Sequence, residues 1–488
     1  MKSREALAHT ALLLSALLAA QARAQSDSPQ KLIAQALGAM GGADRIGRIR
    51  EVKAAIDGHK FAFEQSERPE GPWITAYLSG EETVDFDTST ITLKGKGSGI
   101  FFPGGQDLDL KYSFGATPVA ADGVYFESPA IARERLALGP ERVLLTALAA
   151  PDLHILKEVV YHSVPHDQIG FTWGAASVRV LINHYTHLPS AVDALEEGQG
   201  YWAPWGDVTE RTVWGNWDIV PGNILLPTLW AVENNGQQQE SYSLTKVEVK
   251  YAEKAPPAAD LAPKRPAANG LPPFKAVQVA PGIVQYQSAF NCAAVDQGDG
   301  VVILEGVFSS DYAAAILKDV ATRFPKEPIK AVISTDDAWP HIGGLRQFAA
   351  LGVPIYTYTA NEPIVKRLLK APFTIRPDEL ARSPRKPELR LIDAETTIGK
   401  GDNQLVLYPL HGSVGERMLY GYFPARKLAY APDVIQTFGG QWFSQNLLDE
   451  FLRAVRRDGL KPDTAFAFHS GPISYAALES VVAAAKAR

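Results

Sequence analysis

Cysteine is almost absent from this chain, which has 488 residues but a single cysteine, Cys292. A lone thiol excludes any disulfide within the chain, even in an oxidising compartment. Cys292 lies in the apolar segment YQSAFNCAAV, and no histidine or cation stands nearby in sequence to activate it as a nucleophile. We therefore interpret Cys292 as a small core residue.

The chain also lacks an excess of positive charge and, beyond its N-terminus, any long apolar run. Its 48 lysines and arginines against 54 aspartates and glutamates give a net charge of −6. This charge provides no basic footprint for nucleic acid and no polybasic patch for a membrane surface. The hydrophobic fraction of 46% is typical of globular proteins. The expected partners are small molecules or other proteins.

The first 24 residues have the pattern of a signal peptide. Lys2 and Arg4 precede the apolar run Ala6–Ala20, and Ala22-Arg23-Ala24 has the small–x–small pattern of a cleavage site. The run is shorter than the ~20 residues that a membrane-spanning helix needs. We expect export to the periplasm with cleavage after Ala24, and no transmembrane segment elsewhere.

A proline-rich segment divides the remaining chain into two parts. Residues 253–273 contain six prolines and no hydrophobic period, which is typical of a linker. Residues 25–252 begin with a short amphipathic helix and continue with segments that alternate apolar and polar residues, as antiparallel strands do. A helix on a curved antiparallel sheet resembles the half-barrel of periplasmic lipoprotein carriers. That resemblance implies a groove for an apolar ligand or for the neighbouring domain.

Residues 274–488 alternate strand-like and helix-like segments, which predicts an α/β domain. Its three histidines, His341, His411 and His469, each follow a predicted strand, and Asp433 ends the segment KLAYAPD. Residues just past the carboxyl ends of strands converge on one edge of an α/β sheet, where ligands bind. The four side chains are therefore candidate metal ligands.

The layout of this part resembles the metallo-β-lactamase fold, an αββα sandwich whose members are mostly hydrolases with one or two metal ions. The resemblance is carried by GDGVVILEGVFSSDYAAAILKDVATRF, then by PIKAVISTDDAWPHIGG, and later by LHGSVGERMLYGYFPARKLAYAPDVI and FHSGP. In the family, the loop after the strand reads T-H-x-H-x-D-H-x-G-G. Here Asp336, Ala338 and Pro340 stand at the first two histidines and the acid, and only His341 is retained.

The resemblance also implies roles for the downstream residues: His411 matches the third ligand histidine, Asp433 the bridging aspartate and His469 the terminal histidine. His341, His469 and Asp433 would form a site of two histidines and one carboxylate. Asp336 and His411 would complete that site or hold a second metal weakly. With fewer nitrogen and more oxygen ligands, iron or manganese fits as well as zinc.

Three functions are compatible with these residues. In a metal-dependent hydrolase of unknown substrate, Asp336 or Asp337 would act as general base, and Trp339 would line the substrate cleft or simply pack. The loss of ligands also fits a catalytically inactive protein that uses the fold for ligand binding. The N-terminal architecture by itself suggests a periplasmic carrier for an apolar molecule.

Overall fold

A computed structural model describes residues 28–61, 75–99, 102–114, 129–198, 200–256, 261–262, 273–412, 415–438, 441–442 and 445–487. The predicted signal peptide, residues 1–24, lies outside these ranges, as do residues 257–260 and 263–272 of the predicted linker. Within the described ranges, none of the helices combines the length and the apolar character needed to cross a bilayer.

Among its described residues, the N-terminal region contains four helices and eleven strands. The helices are α1 (Pro29–Ala39), α2 (Ala43–Gly47), α3 (Pro129–Leu138) and α4 (Val143–Ala149). The strands are β1 (Ile49–Phe61), β2 (Thr75–Asp85), β3 (Thr90–Gly99), β4 (Phe102–Ser113), β5 (His154–Tyr161), β6 (Val164–Trp173), β7 (Ala176–Asn183), β8 (Pro189–Glu197), β9 (Asp207–Val220), β10 (Ile224–Asn234) and β11 (Gln237–Tyr251).

These strands form one antiparallel sheet in the order β4-β3-β2-β1-β11-β10-β9-β8-β7-β6-β5. Helix α1 begins at the Ser28 cap, whose Oγ accepts a hydrogen bond from the Lys31 amide at 3.2 Å, and Pro29 follows at the first turn. Its apolar stripe, which includes Ile33 and Leu37, is buried against alternate residues of the sheet such as Val178. The prediction of a mainly antiparallel β region is confirmed.

The C-terminal region contains seven helices and thirteen strands among its described residues. The helices are α5 (Ser310–Arg323), α6 (Trp339–Ile342), α7 (Leu345–Leu351), α8 (Glu362–Leu369), α9 (Glu379–Arg382), α10 (Gln445–Arg457) and α11 (Tyr475–Lys486). The strands are β12 (Lys275–Ala280), β13 (Ile283–Gln287), β14 (Cys292–Asp296), β15 (Val301–Leu304), β16 (Ile329–Ser334), β17 (Ile355–Tyr358), β18 (Leu389–Ile392), β19 (Thr396–Ile398), β20 (Leu405–Pro409), β21 (Leu419–Phe423), β22 (Leu428–Phe438), β23 (Gln441–Trp442) and β24 (Thr464–Ser474).

Two facing sheets covered by helices give this region the αββα sandwich that the sequence predicts. One sheet runs β12 to β18 in chain order, and the other runs β19 to β23 with β24 paired to β22. Apolar residues of both sheets, such as Leu304 and Leu407, meet between them. Helices α5, α7 and α8 cover the first sheet, and α10 and α11 cover the second. Cys292 is fully buried in the core beneath α5, in agreement with its interpretation as a packing residue.

Asp207, the first residue of β9, joins the two regions. Its backbone amide donates to the Pro372 carbonyl at 2.7 Å, and its carboxylate accepts bonds from the Thr374 amide at 3.0 Å and the Ile375 amide at 3.1 Å. The Thr374 hydroxyl donates to the same carboxylate at 2.5 Å. Because Asp207 is only 8% exposed, these donors depend on it rather than on water.

The substitution Asp207→Ala should therefore lower the free energy of unfolding by about 2–4 kcal/mol, since it leaves two amides and a hydroxyl without an acceptor. Urea unfolding followed by tryptophan fluorescence measures this loss. Asp218→Ala is the matched control, because Asp218 lies on the same strand with its side chain in solvent, and should change stability by no more than ~0.5 kcal/mol. Equal losses in the two variants would contradict the importance of the Asp207 contacts.

Candidate metal centre

The candidate site is assembled from segments far apart in sequence. His341 lies in the short helix α6, which follows β16 after the polar loop Thr335–Ala338. Asp433 and His469 lie within β22 and β24, rather than beyond the strand ends as the sequence suggested. The parallel pairing of β22 with β24 is interrupted between Ala431 and Gln436. The four residues 432–435 of β22 correspond there to the single residue Phe468 of β24. This irregularity lets the carboxylate of Asp433 reach the histidines.

The two histidines converge on one oxygen of Asp433. Nε2 of His341 and Nε2 of His469 each lie 2.9 Å from Asp433 Oδ1. The His341 side chain is fully buried and its ring stacks on Phe468 at 3.6 Å between centroids, whereas His469 is 19% exposed. Solvent or a small molecule therefore reaches this group from the His469 side.

On its other side, His341 faces a carboxylate that the sequence analysis missed. Nδ1 of His341 lies 3.1 Å from Glu305 Oε2, an ion-pair contact without hydrogen-bond alignment. The Glu305 carboxylate also accepts bonds from the Tyr430 hydroxyl at 2.9 Å, from the Thr335 amide at 3.3 Å and from the Thr335 hydroxyl. Glu305 has φ 75°, a left-handed conformation that residues other than glycine rarely adopt and that is often found at functional sites.

A sequence signal for Glu305 does exist: it is a single acid directly after the buried run VVIL of β15. Strand β15 pairs in parallel with β16, so its carboxyl end lies beside the loop that leads to His341. No comparable signal marks Tyr430, which lies inside an apolar strand.

Charges around His341 determine its protonation. Burial by itself would lower the pKa of His341, but the carboxylates of Glu305 and Asp433 outweigh burial and raise the pKa well above its usual value. Burial likewise works to raise the pKa of Asp433, yet His469 and His341 outweigh it and hold this pKa below its usual range. Without a metal ion, a proton on the His341 imidazole therefore compensates the buried carboxylates.

Asp336 and Asp337 add two buried acids to the site, exposed by 2% and 1%. Asp336 Oδ1 accepts a bond from the Ala338 amide at 3.1 Å, but Asp336 Oδ2 and both Asp337 oxygens have no hydrogen-bond donor among the described residues. Arg417 Nη1 is 3.6 Å from Asp337 Oδ2. Burial raises the pKa of Asp336 and, together with the neighbouring Asp336 charge, raises that of Asp337 well above its usual value.

The donor atoms fit a divalent metal ion. Ligand atoms of Asp336, His341 and Asp433 lie within 4.8 Å of one another, and His469 adjoins them through Asp433. Carboxylate oxygens without a hydrogen-bond donor, buried beside two imidazoles, are groups that a cation would satisfy.

Two other predicted site residues are placed differently. His411 is solvent-exposed beyond the end of β20 and is not part of that group of mutually close donors. Trp339 is 6% exposed and packs edge-on against Phe290 at 5.5 Å and beside Phe308 at 6.1 Å. These contacts favour the packing role of Trp339 over a place in an open substrate cleft.

The N-terminal region contributes to the wall of the site. The 3₁₀ turn Gly200–Trp205 lies against α6, and a Cβ atom on Gly343 would be 3.1 Å from the Pro204 ring and 2.1 Å from the Phe308 carbonyl oxygen. Only glycine fits there. Trp205 is buried in the same core as Phe348, and the Arg367 guanidinium covers its ring at 4.4 Å.

Solved structures of the metallo-β-lactamase fold are similar to part of this chain. A metallo-β-lactamase from Erythrobacter litoralis is 12% identical over 44% of this chain and 97% of its own, with a TM-score of 0.35. A metallo-β-lactamase from Pontibacter korlensis is 14% identical over 44% of this chain and all of its own, with a TM-score of 0.34. An inverting sec-alkylsulfatase from Pseudomonas sp. is 15% identical over 43% of this chain and 40% of its own, with a TM-score of 0.33.

No protein-family model matches the chain, and no curated protein matches it significantly. At such low identities the likeness concerns the fold alone. The assignment of residues from Phe274 onward to a metallo-β-lactamase-like αββα sandwich therefore rests on the two facing sheets and their covering helices.

In chelator-treated protein, Glu305→Ala should lower the free energy of unfolding by about 3–5 kcal/mol, because it removes the charge beside His341 and the acceptor of Tyr430. Glu305→Gln retains an acceptor oxygen and should cost less, about 1–3 kcal/mol. Urea unfolding measures both losses. Glu395→Ala, at an exposed position, should stay within ~0.5 kcal/mol of the unmodified protein. A loss for Glu305→Ala as small as that of the control would show that Glu305 does not support His341.

Proposed function

We propose that the C-terminal region is a metal-dependent hydrolase with one divalent metal ion, held by His341, Asp433 and His469 and completed by Asp336. The observation that supports this proposal is the convergence of both Nε2 atoms on the same Asp433 oxygen, each at 2.9 Å. Two imidazoles and one carboxylate form a donor set that zinc, iron and manganese all accept.

One metal ion is favoured over two by the residues in the loop after β16. Ala338 offers no ligand atom and Pro340 offers no side-chain donor, although the family resemblance puts ligands at both positions. His411, the remaining candidate for a second ion, lies outside the group of mutually close donors. The oxygen-rich donor set leaves zinc, iron and manganese as the candidate metals.

A divalent ion in such a site lowers the pKa of a bound water towards ~7 and polarises the oxygen of a carbonyl or phosphoryl group. Asp337 is suited to move the proton, because burial and then the Asp336 charge raise the pKa of its carboxyl group well above the usual value. Glu305, at Nδ1 of His341, holds the imidazole with Nε2 turned towards Asp433.

The surroundings of this centre suggest a small-molecule substrate that enters from the His469 side. His469 and Asp433 are the partly exposed members of the group, at 19% and 16%, and Phe290 packs against the His469 ring at 5.3 Å.

We also propose export to the periplasm, with the chain divided into residues 25–252, a linker over 253–273 and the hydrolase region 274–488. The nature of the substrate is open, because one fold serves many reactions.

Metal analysis of protein purified without chelator or histidine tag tests the proposal. We expect about one equivalent of a first-row divalent metal ion, and at least a tenfold loss of affinity in His469→Ala, because one of three firm ligands is removed. His154→Ala is the matched control: His154 is exposed on β5 and lies outside the group of close donors around Asp433, so its loss should leave the metal content unchanged. His411→Ala should reduce the content less than His469→Ala does.

The same preparation should hydrolyse at least one member of a panel of lactone, thioester, β-lactam and phosphodiester substrates. Activity should disappear with a chelator and return with added metal. A metal content below about a tenth of an equivalent, unaffected by His469→Ala, would contradict the metal site. A full metal content without any hydrolysis would instead support a ligand-binding protein.

A further inference from the structure

A cleft in the N-terminal region lies between helix α3 and the sheet face that this helix covers. The cleft is partly open to solvent. Strands β1 to β3 and β8 to β11 supply the wall opposite the helix. Much of that wall is apolar, with Ile56, Ile91, Val192, Trp230 and Leu244 as examples. The cleft is separate from the candidate metal centre.

The cleft is also lined by acids, and its nearest cations are already paired. Arg135 forms a two-pronged ion pair with Glu141, at 2.7 and 3.0 Å, and lies 3.6 Å from Glu82. Lys60, only 6% exposed, forms a 2.8 Å ion pair with Glu240. These two basic residues therefore compensate the carboxylates on their own side of the cleft.

A second set of carboxyl groups lacks such compensation. Glu134 on α3 is close to Glu210 on β9 and Glu196 on β8, and burial followed by the charge of Glu210 raises the pKa of Glu134 well above its usual value. All three side chains are half-buried. The positive charge of Arg133 lowers the pKa of Glu196, and the positive charge of Lys60 lowers the pKa of Glu210. Both effects act through charge alone. Four acids, Glu82, Glu134, Glu210 and Glu240, line the cleft against one base, Arg135. Such a surplus of negative charge, partly shielded from water, is costly without a cation.

We propose that this cleft binds a protonated amine attached to an apolar body, with the ammonium group between Glu134 and Glu210 and the apolar part against the wall near Trp230. An ammonium group donates up to three hydrogen bonds, which matches adjoining carboxylate acceptors. The face of the Trp230 ring is already covered by the Arg135 guanidinium at 4.3 Å, so the amine is recognised by carboxylates and not by an aromatic ring. This argument favours N–H donors over a quaternary ammonium group.

The carboxyl cluster also predicts a pH effect on stability in ligand-free protein. Burial, followed by the charges of Glu210 and Glu196, raises the pKa of Glu134 well above the value of ~4.3 expected in the unfolded chain. The stabilisation linked to this proton is complete below the unfolded pKa and is lost as the pH rises through the folded pKa. Glu134→Gln lacks this titration.

Urea unfolding at a series of pH values should therefore show Glu134→Gln gaining stability relative to the unmodified protein as the pH rises. Glu248→Gln, an exposed position on β11, should show no such trend. A difference between unmodified protein and Glu134→Gln that stays constant with pH would contradict the raised pKa of this acid.

Calorimetric titration of the full chain with octylammonium, kept below its micelle concentration, tests the binding proposal. Octanol, octanoate and octyltrimethylammonium have the same alkyl chain and differ only at the polar end. We expect octylammonium to bind at least about tenfold more tightly than each of them. The double variant Glu134→Gln, Glu210→Gln should weaken octylammonium binding by at least about tenfold, and Glu248→Gln should not change it.

Equal affinity for octanol and octylammonium would overturn the proposal, because it would show an apolar cleft without charge recognition. Tight binding of octyltrimethylammonium would overturn the assignment of N–H donors. Octylammonium binding that persists unchanged in a folded double variant would place the ligand elsewhere. The comparison among the four ligands uses unmodified protein, so it decides the question even if the double variant does not fold.

Discussion

The buried imidazole of His341, held between the carboxylates of Glu305 and Asp433, is the interaction on which the C-terminal region depends. Glu305 follows a strand of the first sheet and Asp433 belongs to the second, so this one side chain links both layers of the sandwich. A charge in this position is tolerated only while both partners remain. The loop after β16, the bulge in β22 and the positive φ of Glu305 all serve to bring these three groups together.

Clusters of carboxyl groups occur in both regions of the molecule. At the candidate metal centre, Asp336 and Asp337 place carboxylate oxygens in the interior without hydrogen-bond donors among the described residues. In the N-terminal region, the half-buried carboxyl groups of Glu134, Glu196 and Glu210 lie close together, and Glu134 and Glu210 line the cleft. Because acids crowded together away from water destabilise a fold, both proposals place a cation beside such a cluster. The apolar cleft wall suits an organic cation, whereas the imidazoles beside Asp433 suit a metal ion.

Much of the fold was predictable because it depends on local patterns. Alternation of apolar and polar residues indicated the antiparallel strands. The αββα sandwich was implied by the resemblance of the loop TDDAWPHIGG and its flanking segments to the metallo-β-lactamase fold. The positions of Asp433 and His469 inside strands were not predictable, because the interruption in the β22–β24 pairing has no marker in the sequence. The exposure of His411 was not predicted for a similar reason. A position just after a strand places a residue near the edge of the sheet, but it does not determine the direction of its side chain.

The sequence by itself singled out the residues of the candidate site: His341, Asp433 and His469 were predicted to be metal ligands from the strands before them and from the resemblance to the metallo-β-lactamase fold. Only the tertiary structure decided that Glu305 and Tyr430 support His341, and that both histidines meet at one oxygen of Asp433. It alone gathered Glu82, Glu134, Glu210 and Glu240 around one cleft. The physical reason is that the two-residue period of a strand determines which face of the sheet a side chain occupies. The register between strands and the packing of helices on the sheet determine which other side chains it meets.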